Sequence, residues 1–289
     1  PSTLELAFTK IRTQTNSGVA AVRRPATLLT AIDATLKKTS PDDESLPPAA
    51  YLVALLSTLS QLTTTPGATK EGEKRELLEA TLYLLSLLTP HLDAPLLRSK
   101  VALLATLNPL FPAFATHAPA LKSLIAISQS ILSSLSISQL DKDRDAIQVF
   151  AHVLAIAGDA RPKVRRRAQE AITALLSAPP PPATIHPYGA STANWILERL
   201  EEAVKGAKRG GKKEAAAPVA SKGKKGAAPV ISEEASGSDE SRAIALLTFV
   251  KNLGTAWHEE VCFSFVARWE VLTCSRRALP SSFLRSSPL

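Results

Sequence analysis

Segments rich in leucine and alanine, separated by prolines and short polar turns, recur through residues 1–204 and constrain the fold most strongly. About eight such segments of roughly 14–18 residues place their apolar side chains at helical spacing. One predicted face, on a helix that Pro25 is expected to open, consists of Leu28, Leu29, Ile32 and Leu36. Residues 1–204 show no sustained apolar–polar alternation and no Asn-Gly or Asp-Gly turn, so nothing there indicates a β-hairpin. The sequence therefore predicts an all-α protein.

These predicted helices carry too much apolar surface to stand alone, and each has a neighbour after a short loop. Two-helix units of about 40–47 residues are typical of HEAT and armadillo repeats. Stacking such units buries a continuous core that one pair cannot supply. We therefore expect residues 1–204 to form an α-solenoid of HEAT/armadillo-like helical pairs, with a further helix over 242–257. Asp93 and Asp141 are the predicted N-caps of two helices, and Gly158 is a predicted stop signal.

Residues 205–241 have a different composition, with Lys, Gly, Ala, Pro and Ser and almost no large apolar side chain. Such a segment buries too little surface to offset its ordering entropy, so a disordered linker is predicted. Residues 205–226 hold eight basic residues and one acidic residue, in a chain whose net charge is +8. The basicity of the protein is therefore concentrated in one short segment.

The basic residues of this linker form two clusters about ten residues apart, as in a bipartite nuclear import signal that an import receptor would bind. They are Lys205, Lys208, Arg209, Lys212, Lys213, Lys222, Lys224 and Lys225. The alternative is a linker that only keeps the chain solvated.

The acidic stretch that follows contains three candidate phosphorylation sites for acidophilic kinases, Ser232, Ser236 and Ser238. Phosphates there would pair with the neighbouring lysines.

Three consecutive arginines follow a proline in residues 159–176 and raise the question of nucleic-acid binding. The apolar face of this predicted helix consists of Val164, Ala168, Ala171, Ile172 and Leu175. Two interpretations of its polar side stay open. Either the first arginine is structural and the next two are solvated, or the whole basic cluster contacts RNA phosphates. The cluster consists of Lys163, Arg165, Arg166 and Arg167.

Candidate catalytic and metal-binding groups are scattered. Cys262 and Cys274 are too few for a disulfide framework or a metal cage and are typical of a reducing, intracellular compartment. The five histidines form no His-x3-His pair. Asp141, Asp143 and Asp145 resemble the start of a calcium loop, but the glycine and the final glutamate are missing, so an acidic helix N-terminus is favoured. No cofactor is expected, and the residues disfavour an enzyme.

The arginine helix, the proline-rich gap after it and the next predicted helix resemble the ribosomal RNA-processing protein 12 family of nucleolar HEAT-repeat proteins. The shared features are a basic Lys-Val-Arg-x-Arg-Ala-Gln helix, a His-Pro pair and a Ser-Thr-Ala run that opens a helix. They correspond here to Lys163, Val164, Arg165, Arg167, Ala168, Gln169, His186, Pro187, Ser191, Thr192 and Ala193. The stretches PATLL and PPAAYLVALLSTL add to a resemblance that covers most of residues 1–204.

This resemblance implies a non-enzymatic scaffold of the nucleus and nucleolus, shuttling to the cytoplasm. It would bind pre-ribosomal particles, composed of pre-rRNA and assembly proteins, for pre-rRNA processing and nuclear export of ribosomal subunits. The alternative is a nuclear-transport receptor or adaptor of the same architecture, which binds protein cargo and a Ran-type GTPase. Family members are far longer, and residues 258–289 lose helical periodicity after Trp257. We therefore expect a truncated or mis-spliced tail there, the other interpretation being a genuine but divergent one.

Overall fold

The computed structural model describes residues 3–39, 47–64, 71–210 and 239–254, together with positions 262, 265, 266 and 269. Every regular element with assigned bounds in these ranges is helical, so the predicted all-α class is confirmed. None of the described helices combines the length and the apolar character that crossing a membrane requires.

Thirteen α-helices and one short 3-10 helix, Thr89–His91, make up the described ranges. The first six α-helices are α1 (Thr3–Arg12), α2 (Ala20–Thr39), α3 (Pro48–Thr64), α4 (Glu71–Leu88), α5 (Ala94–Arg98) and α6 (Leu103–Leu107). The others are α7 (Leu110–Ala113), α8 (Ala118–Ser134), α9 (Ile137–Lys142), α10 (Arg144–Ile156), α11 (Pro162–Leu176), α12 (Gly189–Gly210) and α13 (Asp239–Leu253).

The helices are arranged as a row with partner helices packed against it. The row consists of α2, α4, α8, α11 and α13, each of which contacts the next. The partner contacts are α1 on α2, α3 on α4, α5 on α8, α10 on α11 and α12 on α13. Successive helical pairs therefore stack side by side, and the predicted HEAT/armadillo-like α-solenoid is confirmed.

The middle helices of the row, α4 and α8, are buried on several sides. α4 contacts α2, α3 and α8, and the side chains of Leu82, Leu84 and Leu85 have no exposed surface. α8 contacts α4, α5 and α11, and Leu124 and Ile127 are equally buried. Full burial of one such side chain contributes about 2 kcal/mol to folding. The core of each pair is thus continuous with the core of the next.

The third pair is irregular where the sequence predicts one helix over residues 93–107. Between α5 and α6 most backbone hydrogen bonds span three residues rather than four, so the helix tightens and breaks. Arg98 Nε donates to the carbonyl oxygen of Ser134 at 2.8 Å, which satisfies a carbonyl that the end of α8 leaves unpaired. Asp93 occupies the N-cap position of α5 as predicted, but its side chain makes no capping hydrogen bond.

Two other predicted helix starts are wrong. Asp143 rather than Asp141 is the N-cap of α10, and its Oδ1 accepts the N–H groups of Asp145 and Ala146 at 2.9 and 3.0 Å. This local side-chain bonding separates α10 from α9, in which Asp141 lies. Pro25 lies inside α2, which already begins at Ala20. The proline costs one backbone hydrogen bond but is buried in the core, so packing overrides the local preference.

The sequence pattern did not single out α1, which is held by a polar network. Arg12 forms a bidentate ion pair with Asp33, with Nε–Oδ2 and Nη2–Oδ1 distances of 2.7 and 3.0 Å. The Tyr51 hydroxyl donates to Asp33 Oδ1 at 2.6 Å and accepts from Arg12 Nη2 at 3.1 Å. Burial, together with the Asp33 hydrogen bond and charge, raises the pKa of Tyr51 to about 12. One network of charge-assisted bonds therefore joins α1, α2 and α3.

The C-terminal elements start and end at other residues than the sequence predicts. α12 continues to Gly210, beyond the expected linker boundary at residue 204, because Lys, Ala and Arg favour helix. α13 covers Asp239–Leu253 rather than 242–257. Beyond it, positions 262, 265, 266 and 269 are helical, and Cys262, Phe265 and Trp269 pack on the core. These four positions are spaced as on one face of a helix. That residues 258–289 are a truncated or mis-spliced tail stays a prediction.

The connection between α11 and α12 is fixed by two aromatic side chains. The Tyr188 ring stacks on Phe150 of α10 at a centroid distance of 4.2 Å, and its hydroxyl donates to the Leu140 carbonyl oxygen at 2.8 Å. His186 is 5% exposed, and its Nδ1 accepts the N–H of Tyr188 at 3.2 Å. Burial lowers the pKa of His186 to about 4, although the charge of Asp141 acts in the opposite direction. His186 is therefore neutral in the folded chain near neutral pH.

This buried histidine predicts a loss of stability in acid. The unfolded chain binds the His186 proton with a pKa of 6.5 and the folded chain with a pKa of about 4. The contribution of neutral His186 is thus fully present above pH 6.5 and falls between about pH 6.5 and pH 4, by about 3 kcal/mol. Chemical denaturation across this range should show His186→Asn losing that part of the pH dependence, because Asn accepts the same hydrogen bond without titrating. Identical pH profiles for the two proteins would contradict the assignment.

Candidate interaction site around the arginine helix

The helix α11 carries the consecutive arginines, and its buried face is the predicted one. Val164, Ala168, Ala171, Ile172 and Leu175 are all 2% exposed or less. The apolar spacing is that of a helix packed on two neighbours, here α8 and α10. The predicted burial is confirmed, and the chemistry of the polar side depends on where each basic side chain lies.

Arg165 is half-buried and folds back onto the turn that precedes α11. Its Nη1 donates to the carbonyl oxygens of Asp159 and Ala160 at 2.9 and 3.3 Å. Its Nε and Nη2 groups have no acceptor within hydrogen-bonding distance in the described part of the chain. One side of this guanidinium group is therefore anchored and the other is open.

Arg161, which the sequence analysis did not single out, makes the contact to the preceding pair. Its Nη2 donates to the Ala115 carbonyl oxygen, in the turn before α8, at 2.8 Å. Its Nε and Nη2 also bind both carboxylate oxygens of Asp159 at 2.9 and 2.8 Å. Burial alone would raise the pKa of Asp159, but the hydrogen bonds and charge of Arg161, with a smaller contribution from Arg165, lower it. The Asp-x-Arg spacing of Asp159 and Arg161 is the sequence feature from which this ion pair could have been predicted.

The other three basic side chains of the cluster point in different directions. Arg167 is half-buried, and its Nη2 donates to the Gln129 side chain of α8 at 3.1 Å. Arg166 pairs with Glu170 one turn later at 2.9 Å while its side chain remains 83% exposed. Lys163 is exposed at the start of α11. The structure therefore presents Lys163 and Arg166 to solvent and uses Arg165 and Arg167 partly for internal contacts.

An open groove of about 730 Å³ lies between α11 and α13, although the two helices are neighbours in the row. The polar side of α11 forms one wall, through Arg165, Arg166, Gln169, Glu170 and Thr173. The opposite wall is formed by Ala245, Thr248 and Asn252 of α13. The side chains on α13 are small or uncharged and leave the groove wide. Arg165 is the most buried charged residue of the lining, since Arg166 and Glu170 are exposed.

A second cavity of about 350 Å³ adjoins the groove, since Arg165 lines both. Its lining includes the Trp195 ring and Leu246, with Arg199 lying over the ring at 5.6 Å from the centroid. Arg199 Nη1 also pairs with Glu202 at 2.6 Å. Gly158 closes the cavity, because a Cβ there would lie 3.3 Å from the Trp195 ring. This glycine, which directly follows the C-cap Ala157, thus permits a close approach of the α10 end to α12.

A third cavity, of about 490 Å³, lies between α2, α4 and α8, and the charges around it are mutually paired. Arg24 pairs with Glu76 at 3.0 Å, and Glu79 contacts Arg75 and His117 at 3.5 and 3.4 Å. Such pairs compensate one another and leave little charge for a ligand. The α11–α13 groove differs, because the Nε and Nη2 donors of Arg165 are open there.

The described ranges contain no group of three or more His, Cys, Asp and Glu side chains that could hold a metal ion. Of the acidic trio at the start of α10, Asp143 is committed to the helix cap. The predicted import signal lies mostly outside the described residues. Lys205, Lys208 and Arg209 lie on α12, whereas Lys212, Lys213, Lys222, Lys224 and Lys225 are outside the described residues. The three candidate phosphorylation sites, Ser232, Ser236 and Ser238, are outside them as well.

Known proteins resemble this chain over the same helices. The family described as RRP12-like, N-terminal HEAT repeats, matches residues 24–232. Ribosomal RNA-processing protein 12 of Saccharomyces cerevisiae is 29% identical over 203 residues, which make up 68% of this chain and 16% of the yeast protein. The chain therefore spans about a sixth of the length of that relative. No solved structure matches. The family resemblance found in the sequence is thus confirmed, and the chain belongs to the RRP12-like family, in the region of its N-terminal HEAT repeats.

Proposed function

We propose that the chain is a non-enzymatic scaffold of ribosome biogenesis, which binds pre-ribosomal particles during pre-rRNA processing and nuclear export of ribosomal subunits. The match to the RRP12-like family over residues 24–232 carries this proposal, and the yeast relative is named for ribosomal RNA processing. The stacked helical pairs support it, because repeat proteins of this kind act through long surfaces that bind partners. The protein would act in the nucleus and nucleolus and shuttle to the cytoplasm.

Density-gradient sedimentation of a nuclear extract from cells that express the tagged full chain tests the proposal. The chain should sediment with particles that contain pre-rRNA and shift to light fractions after ribonuclease treatment. A chain that remains in the light fractions of the untreated extract would count against the scaffold.

Crosslinking separates this function from that of a transport receptor or adaptor with the same architecture. A scaffold of the pre-ribosome should crosslink to pre-rRNA in cells. A transport receptor should instead bind a Ran-type GTPase in its GTP form and crosslink poorly to pre-rRNA. The second pattern would replace the scaffold proposal with the transport function.

The exposed members of the basic cluster, Lys163 and Arg166, are the proposed RNA contacts on α11, with Arg165 and Arg167 as nearby support. Replacing both exposed residues by Ala should weaken binding to a single-stranded RNA and reduce the slope of log K against log salt by about 1.4, since each phosphate contact contributes about 0.7. Filter binding over a salt series measures this slope. The Lys142→Ala/Arg144→Ala control removes the same charges elsewhere and should leave the slope unchanged. Equal slopes for all three proteins would reject the contact.

The basic segment 205–226 is the proposed import signal, bound by an acidic import receptor. A fluorescent reporter fused to this segment should accumulate in nuclei. A matched segment with all eight basic residues replaced by Gln should leave the reporter evenly distributed. A reporter that stays cytoplasmic with the native segment would exclude the signal.

A further inference from the structure

The guanidinium group of Arg165 is anchored on one side and open on the other. Its Nη1 is held by two backbone carbonyl oxygens, so the guanidinium plane is fixed before any ligand arrives. The Nε and Nη2 groups lack an acceptor in the described part of the chain, and the side chain lines both the α11–α13 groove and the Trp195 cavity. A guanidinium edge held in this way is suited to bind a carboxylate with two parallel hydrogen bonds.

The charges around Arg165 are already balanced, with Arg165 as the exception. Arg166 is paired with Glu170, and Arg199 with Glu202, at 2.9 and 2.6 Å. The Asp159 carboxylate interacts electrostatically with Arg165, but both of its oxygens are hydrogen-bonded to Arg161. A single carboxylate that enters the groove would therefore find one fixed cation with open donors.

The walls favour a polypeptide over a nucleic acid as the occupant. Glu170 in the groove and Glu202 in the adjoining cavity are each paired with an arginine, so the lining offers one uncompensated positive charge. One such charge matches a single carboxylate better than a chain of phosphates. The uncharged walls contain amide and hydroxyl side chains such as Gln169 and Thr248, which suit a peptide backbone. Next to Arg165, the Trp195 ring and Leu246 offer contact area for an apolar side chain.

We propose that the groove between α11 and α13 binds an extended segment of a partner protein, which places an Asp or Glu carboxylate on the open edge of Arg165 and an apolar neighbour near Trp195. The inference goes beyond the proposed function and does not depend on it, because it concerns a peptide contact and no ribosomal particle. It also gives Arg165 a role separate from the exposed pair Lys163 and Arg166.

Selection of a random-peptide display library on the full chain tests this site. Enriched peptides should share an Asp or Glu beside an apolar residue, and synthetic copies with the acid replaced by its amide should bind roughly tenfold more weakly or worse, as expected for loss of a charge-assisted pair. Arg165→Gln should weaken binding by a similar factor. Ala245→Trp, which fills the groove from the α13 wall and leaves the Arg165 residue unchanged, should also abolish it.

Arg144→Gln is the matched control, since this exposed arginine of α10 lies outside the groove. It should bind the enriched peptides as the unmodified chain does, and circular dichroism melting should show all variants folded. Peptides that bind Ala245→Trp normally, or a selection that yields no shared acidic position, would overturn the proposal. Loss of oligouridine binding in Arg165→Gln and Ala245→Trp with peptide binding unchanged would also overturn it, in favour of RNA.

Discussion

Burial of leucine-rich surface between adjacent helices of the row is the interaction on which the other features depend. α4 and α8 each contact two row neighbours and a partner helix, and leucine and isoleucine side chains on both have no exposed surface, among them Leu82, Leu85, Leu124 and Ile127. A helix with apolar residues on several sides cannot be stable by itself in water, so each pair is stabilised by the next. The position of α11, and with it the direction of every arginine on its polar side, follows from this stacking.

Polar contacts then fix how one pair sits on the next, and several of them end on backbone carbonyl oxygens. Arg98 binds the carbonyl of Ser134, and Arg161 binds that of Ala115 in the turn before α8. Arginine suits this task because its charge is permanent and its donors lie in a rigid plane. The partly buried Arg98 contact contributes about 1.5–3 kcal/mol because its donor is charged, which is less than the apolar core supplies but depends more on geometry. The Arg161 contact to Ala115 is exposed and contributes less.

The regular part of the fold could be predicted from the sequence, because apolar spacing reports which side of a helix is buried. The five residues predicted for the buried face of α11 are all buried. Helix boundaries were less predictable where local side-chain bonds compete with helix formation, as at Asp143, or where packing overrides it, as at Pro25. The basic cluster on α11 was visible, but its division into exposed and anchored members was not.

Much of the groove could not have been read from the sequence, because its two walls are separated by the residues between α11 and α13. Trp195 and Arg199 stand one helical turn apart, which is the spacing that allows a ring–guanidinium contact, so this part of the site did carry a local signal. The open edge of Arg165 has no such signal. It depends on where the turn before α11 places the carbonyl oxygens of Asp159 and Ala160.

The contact between Gly158 and the Trp195 ring sets the spacing of two successive pairs by the absence of a side chain. A methyl group at that point would lie 3.3 Å from the indole, so the ring or the end of α10 would have to shift by a few tenths of an ångström. Since the curvature of a solenoid is the sum of small rotations between repeats, close contacts of this kind between successive pairs contribute to the shape of the surface that a partner encounters.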